Sequence, residues 1–120
     1  MLRTATKIAK LNVFVLDASH DLPAATVAND LIGLAWEQEV EIVAVPTGCL
    51  PEEVFDLRSG LLGEIAQKAA NYRIRIVIVG DVSGHVAASK AFHDYLYETN
   101  KGLTLWFAED IAALEARLGR

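Results

Sequence analysis

Cys49, Asp81 and His85 are the residue types of a nucleophile, an acid and a base. A thiol or hydroxyl becomes a nucleophile when an imidazole takes its proton and an acid orients that imidazole. A helix and a strand separate Cys49 from the other two, so only the fold could assemble them. No nucleophile elbow surrounds any serine, and Cys49 follows Gly48 with no adjacent lysine or arginine to favour its thiolate. A packed, unreactive thiol is the better reading. His20 lies between Asp17 and Asp21, a spacing that matches no recognised metal site. His93 and Asp94, next to Lys90, read as a solvated helix face. No metal and no cofactor are expected.

Two other polar sets fall at opposite ends of the expected strands. Asp56, Ser59, Gly60, Asp81 and Ser83 follow strand ends, where an open parallel sheet binds its ligands. Ser59 could accept a phosphate at a helix N-terminus, and Asp81 could act as a base or hold a cation. The plainer readings are a helix cap for Ser59, worth about 1 kcal/mol, and a turn residue for Asp81. Substituting Ser59 by Asp is then expected to be tolerated. At the other end, Lys68, Tyr72, Arg73 and Lys101 form an alternative contact surface, small, basic and aromatic. Asn71 and Asn100 stand where helices stop and are expected as left-handed C-caps. Gly60 and Gly63 each weaken a helix interior by about 1 kcal/mol, which implies a close backbone approach. Packing on the protein's own sheet is preferred over a partner helix as the cause.

The elements that position these residues follow from periodicity. Thr4 to Ala9 is weakly β-prone, and a turn over Lys10 to Asn12 leads into the stronger strand Leu11 to Asp17. Asp21 as N-cap and Pro23 in the first turn predict a helix over Ala24 to Gln38, with Val27, Leu31, Leu34 and Ala35 inward. Glu41 to Val45 is the next strand. Pro51, Glu52 and Glu53 begin a helical turn, and Asp56 to Ser59 bends into a helix that closes near Asn71. Arg73 to Val79 ends in the apolar run of a central parallel strand. A loop over 82–88, a helix over 88–99, a strand over 103–107 and a final helix complete the order β-β-α-β-α-β-α-β-α. This is an α/β fold in one domain, residues 1–120, with a mostly parallel sheet and an antiparallel first strand.

Composition narrows the partners. The 120 residues are 52% hydrophobic with mean hydropathy +0.28, enough for one packed core. A net charge of −5 disfavours a nucleic-acid partner. No apolar run approaches the ~20 residues of a membrane span, and no signal segment opens the chain, so a cytoplasmic location is expected and a membrane partner is not. The single cysteine excludes an internal disulfide. A protein partner or a homodimer remains as the expected company.

The segment FDLRSGLLGEIAQKAANYRIRIVIVGD (55–81), with Ser89-Lys90 and Asp94 through YLYETNKG, resembles the bacterial domain-of-unknown-function family 4180. The resemblance is carried by Phe55-Asp56-Leu57, Gly60, Gly63-Glu64, Gln67-Lys68, Asn71-Tyr72, Gly80-Asp81, Glu98, Asn100 and Gly102. Val54 and Ala69 depart from it, standing where aromatics are expected. The family implies no biochemical activity. The element order is also similar to STAS-like (anti-sigma-factor-antagonist-like) domains, and Asp56 to Leu61 occupies the place of their Asp-Ser-Ser-Gly-like turn. That similarity implies a regulatory module. The expectation is therefore a non-enzymatic binding or regulatory module working through protein contacts. The alternative is a small-molecule-binding protein or enzyme with a polar pocket around Asp56, Ser59, Asp81 and Ser83.

Overall fold

In the computed structural model the described residues are 6–8 and 11–119. Five strands form one sheet in the spatial order β1 (Thr6–Ile8), β2 (Leu11–Val15), β3 (Ile42–Pro46), β4 (Arg75–Val79), β5 (Leu105–Ala108). β1 runs antiparallel to β2, and every other neighbouring pair is parallel. The remaining positions of the expected first strand and turn, Thr4, Ala5, Ala9 and Lys10, lie outside the described residues.

Strands that are apolar on successive residues need cover on both faces. Phe14, Val43, Val45, Ile76, Ile78 and Phe107 point to one side, into a core shared with α1 (Val27–Gln38), α2 (Leu61–Tyr72) and Phe92 of α4 (Lys90–Thr99). Val13, Ile42, Ala44, Val77 and Trp106 point to the other, where Leu114 of α5 (Ile111–Leu118) seals them. Among the described residues no polar or charged residue is buried, and no helix is long and apolar enough to cross a membrane. The chain is thus an α/β fold with a four-stranded parallel sheet and an antiparallel edge.

Three local expectations are corrected. The first helix starts at Val27, not Ala24, and neither Asp21 nor Pro23 opens it. The reason lies upstream: Leu22 is buried and donates its N–H to the Cys49 carbonyl at 2.9 Å, which ties 17–22 to the loop after β3. The chain must then turn at Pro23–Thr26, where Thr26 N–H reaches the Pro23 carbonyl, before a helix can begin.

The expected loop over 82–88 is a helix, α3 (Ser83–Ala88). It is separate from α4, because Ser89 leaves the helical region at φ −144° and ψ 116°. Its hydroxyl accepts the Phe92 N–H at 3.1 Å and restarts the chain as α4.

The left-handed C-caps are Glu39 (φ 55°) and Arg73 (φ 57°), not the asparagines. Asn71 lies inside the last turn of α2, and Asn100 stays right-handed with its side chain engaged by β5.

Candidate functional site

At the carboxyl ends of the strands, β3 and β4 end against each other. Gly80 takes φ +146°, and a Cβ there would lie 2.5 Å from the Thr47 hydroxyl, so only glycine fits. Directly after it, the Asp81 carboxylate accepts the Ser83 N–H at 2.8 Å, and hydrogen bonding from the Ser83 side chain first, then from its backbone, holds the Asp81 pKa below the usual carboxylate value. Asp81 and Ser83 line a hollow of about 370 Å³ whose walls are Val86, Leu96 and Phe107 and whose far rim carries Glu109.

Asp56 belongs to a different hollow, on the other side of α3. It receives the Arg58 Nε at 3.1 Å, Nη2 at 3.0 Å and backbone N–H at 3.0 Å. The side-chain bond from Arg58 is the main reason that its pKa is lowered. Asp56 lines a hollow of about 430 Å³ with Phe55, His85 and Ser89. His85 stacks on Phe55 with ring centroids 4.6 Å apart and planes 11° from parallel. Ser59 lines neither hollow. Its hydroxyl donates to the Glu53 carbonyl at 2.7 Å and accepts the Leu61 N–H at 3.2 Å, one residue before the helix cap, Gly60. Gly60 itself adopts φ +77°.

Cys49 and His85 are not brought together. The thiol is buried and donates to the Asp17 carbonyl at 3.2 Å, and burial raises its pKa. Among the described residues, no group of three or more His, Cys, Asp or Glu side chains is placed to hold a metal ion. The Asp17 carboxylate instead accepts the backbone N–H and hydroxyl of Ser19.

At the amino ends, Arg73 lines a hollow of about 390 Å³ with Glu41, Ala70, Leu103 and Thr104. Lys68 is half-buried on α2. The Lys101 ammonium sits 4.2 Å from the centre of the Tyr97 ring and 3.5 Å from Glu98. Tyr72 turns the other way, towards α1. The four expected contact residues therefore engage different neighbours.

What Tyr72 meets is Trp36, edge-on, with ring centroids 6.1 Å apart and planes at 82°. Trp36 is 67% exposed and Tyr72 50% exposed. The two rings wall an open hollow of about 400 Å³ with Asn29, Ile32 and Gly33. A second hollow of about 460 Å³, lined by His20, Pro23, Asp30 and Glu37, shares Asn29 and Gly33 with it. The outer face of α1 thus bears a continuous groove with Gly33 at its floor. A Cβ at Gly33, or at Gly63 on α2, would meet nothing within 4 Å. The close approach to the protein's own sheet that was expected for Gly60 and Gly63 is therefore absent. Gly60 is explained by its positive φ, and Gly63 faces open space.

Sequence reasoning passed over Trp36 and Gly33, although a signal was there. Trp36 falls outside the inward stripe Val27, Leu31, Leu34 and Ala35, so the largest side chain of the helix had to project away from its apolar face. Gly33 interrupts that helix with neither a turn nor a cap to require it.

A family model described as Domain of unknown function (DUF4180) matches residues 8–118. No curated protein and no solved structure matches.

Proposed function

Because the chain belongs to the DUF4180 family of unknown function, we propose from its geometry that it is a non-enzymatic binding or regulatory module working through protein contacts. The observation that carries this is the exposed Trp36–Tyr72 pair beside Gly33. Tryptophan and tyrosine are the side chains most enriched at the centres of protein interfaces, because a rigid ring gives a large contact area at little entropic cost. Here one ring braces the other, so both are held ready on the surface. The residues able to do nucleophilic chemistry are apart, with the Cys49 thiol on a carbonyl and the His85 ring on Phe55.

Photocrosslinking from position 33 of the full chain tests this reading. A specific protein adduct is expected, competed by unlabelled wild type but not by Trp36→Ala. Adducts that both competitors suppress equally would end it.

A second reading is favoured by the hollow beside Asp81. It lies outside the carboxyl ends of β4 and β5, where open α/β sheets bind small molecules, and its walls are apolar. Asp81, Ser83 and Glu109 would then select the ligand. Resonance shifts at Val86 and Phe107 with a small-molecule library, unaffected by Trp36→Ala, would support it over the first.

A further inference from the structure

We propose that the groove over α1 receives a cationic amphipathic helix of a protein partner, an inference that rests on the protein-contact reading above. Three observations fix the chemistry of the occupant. The floor is Gly33, over which nothing of this chain packs, so a partner backbone can come closer there than any side chain would allow. One wall is the braced Trp36–Tyr72 pair, which offers apolar area to an apolar stripe. The other wall carries Asp30 and Glu37.

Charge extends well beyond these two carboxylates. Residues 11–57 contain nine of the sixteen acidic side chains and none of the eleven lysines and arginines. α1 lies wholly inside that stretch, with Glu39 and Glu41 directly after it. α1 and the segments that flank it are therefore acidic, with Lys68 and Arg73 beside Tyr72 as the basic groups of the α2 side, and this balance favours a basic partner over an acidic one.

Backbone accounting selects a helix. Every wall and floor residue named except His20 and Pro23 belongs to α1 or α2, whose main-chain groups are bonded within the helices. An extended peptide laid there would leave its own N–H and C=O groups without partners against an apolar wall, whereas a helix satisfies them internally. α1 spans about 18 Å at 1.5 Å per residue, enough to seat three to four turns. A second copy of this chain is a poorer fit, since a two-fold contact through this face would set Asp30 and Glu37 against the same acidic surface.

The test is an amide and indole NMR titration of the isotope-labelled full chain with two synthetic helix-forming peptides. One carries a leucine stripe opposite lysines, and the other has glutamate at each lysine. The lysine peptide is expected to shift the Gly33 amide and the Trp36 indole N–H, with affinity falling as salt rises. Gly33→Leu, which fills the floor, and Glu37→Lys, which reverses the wall, should each weaken binding by about tenfold. Glu115→Lys on α5, against the other face of the sheet, should leave it unchanged. Equal shifts with both peptides, no shifts with either, or shifts centred on Val86 and Phe107 would each overturn the proposal. Concentration-dependent shifts at Gly33 without peptide would also overturn it, by giving the groove to a second copy. In that case, or if position-33 adducts form while the lysine peptide fails, the protein-contact reading survives and only the basic helix is lost.

Discussion

Asn100 accepts the Phe107 N–H at 2.7 Å, so a side chain at the end of α4 occupies a backbone donor of the sheet's edge. Its neighbour Thr99 donates to the Leu105 carbonyl at 3.0 Å. The carbonyls of Thr104, just before β5, and of Ala108 accept the N–H groups of Ile76 and Gly80, which leaves Leu105 and Phe107 turned to the open side. Edge strands expose rows of unpaired groups that recruit other strands. Here two successive side chains occupy one donor and one acceptor of that row.

Asn100→Ala is accordingly expected to lower stability by about 1–2 kcal/mol, the cost of an unsatisfied buried donor. It should also promote association through the freed edge. Asn100→Asp, which still offers an oxygen, should retain most of the stability. Urea denaturation and size-exclusion chromatography measure both effects, and an unchanged Ala variant would remove the bond's importance.

Three glycines should respond with different signs. Gly33→Ala and Gly63→Ala lie in helical backbone with open space around them, so each should stabilise by up to about 1 kcal/mol. Gly60→Ala, at φ +77°, should destabilise by about 1 kcal/mol. Thermal melts of the three variants decide the matter. Gains at 33 and 63 would also show that these glycines do not serve the fold.

The Ser59 hydroxyl donates to the Glu53 carbonyl, which changes the expectation for its aspartate variant. A carboxylate cannot donate and would face that carbonyl oxygen, so Ser59→Asp should cost more than the roughly 1 kcal/mol of Ser59→Ala. Denaturation midpoints of the two variants test the order. An aspartate variant as stable as wild type would reopen the phosphate reading.

Cys49 provides a pH dependence. Burial holds its proton in the folded state, so its folded pKa lies above its unfolded value, near 8.5. The stability it contributes is complete below the unfolded pKa and is lost as pH rises through the folded one. Native protein should therefore react slowly with a thiol reagent at neutral pH. Stability should decline above about pH 8.5, less so in Cys49→Ser. Rapid labelling of the native state would contradict the buried thiol.

The strands were legible because their signal is local: the runs VFV in β2, IVAV in β3 and IVIV in β4 are apolar on both faces, which only an interior strand requires. Helix starts were less legible because they depend on distant partners. No pattern near Asp21 reveals that Leu22 bonds the Cys49 carbonyl. α3 escaped notice because a six-residue helix gives too short a period to read, and Gly84 within it signals a loop. Asp56, Ser59 and Asp81 follow β3 and β4 in the chain, which sequence order alone makes legible. The division of Asp56 from Asp81 by α3 was invisible without knowing that 83–88 is helical.

The two tryptophans differ in surroundings as much as the protein allows. Trp36 is 67% exposed, while Trp106 is 6% exposed, with the guanidiniums of Arg75 and Arg117 over its ring at 4.4 and 3.5 Å and its indole N–H on the Gly102 carbonyl. Their emission should separate accordingly, red-shifted and readily quenched by acrylamide for Trp36, blue-shifted and shielded for Trp106. The molecule thus carries two built-in optical reporters: one at the groove over α1, the other lost only when β5 and α5 come apart. Phe substitution at either position would leave a single-colour probe, so that occupancy of the groove and melting of the sheet can each be followed free of the other's signal.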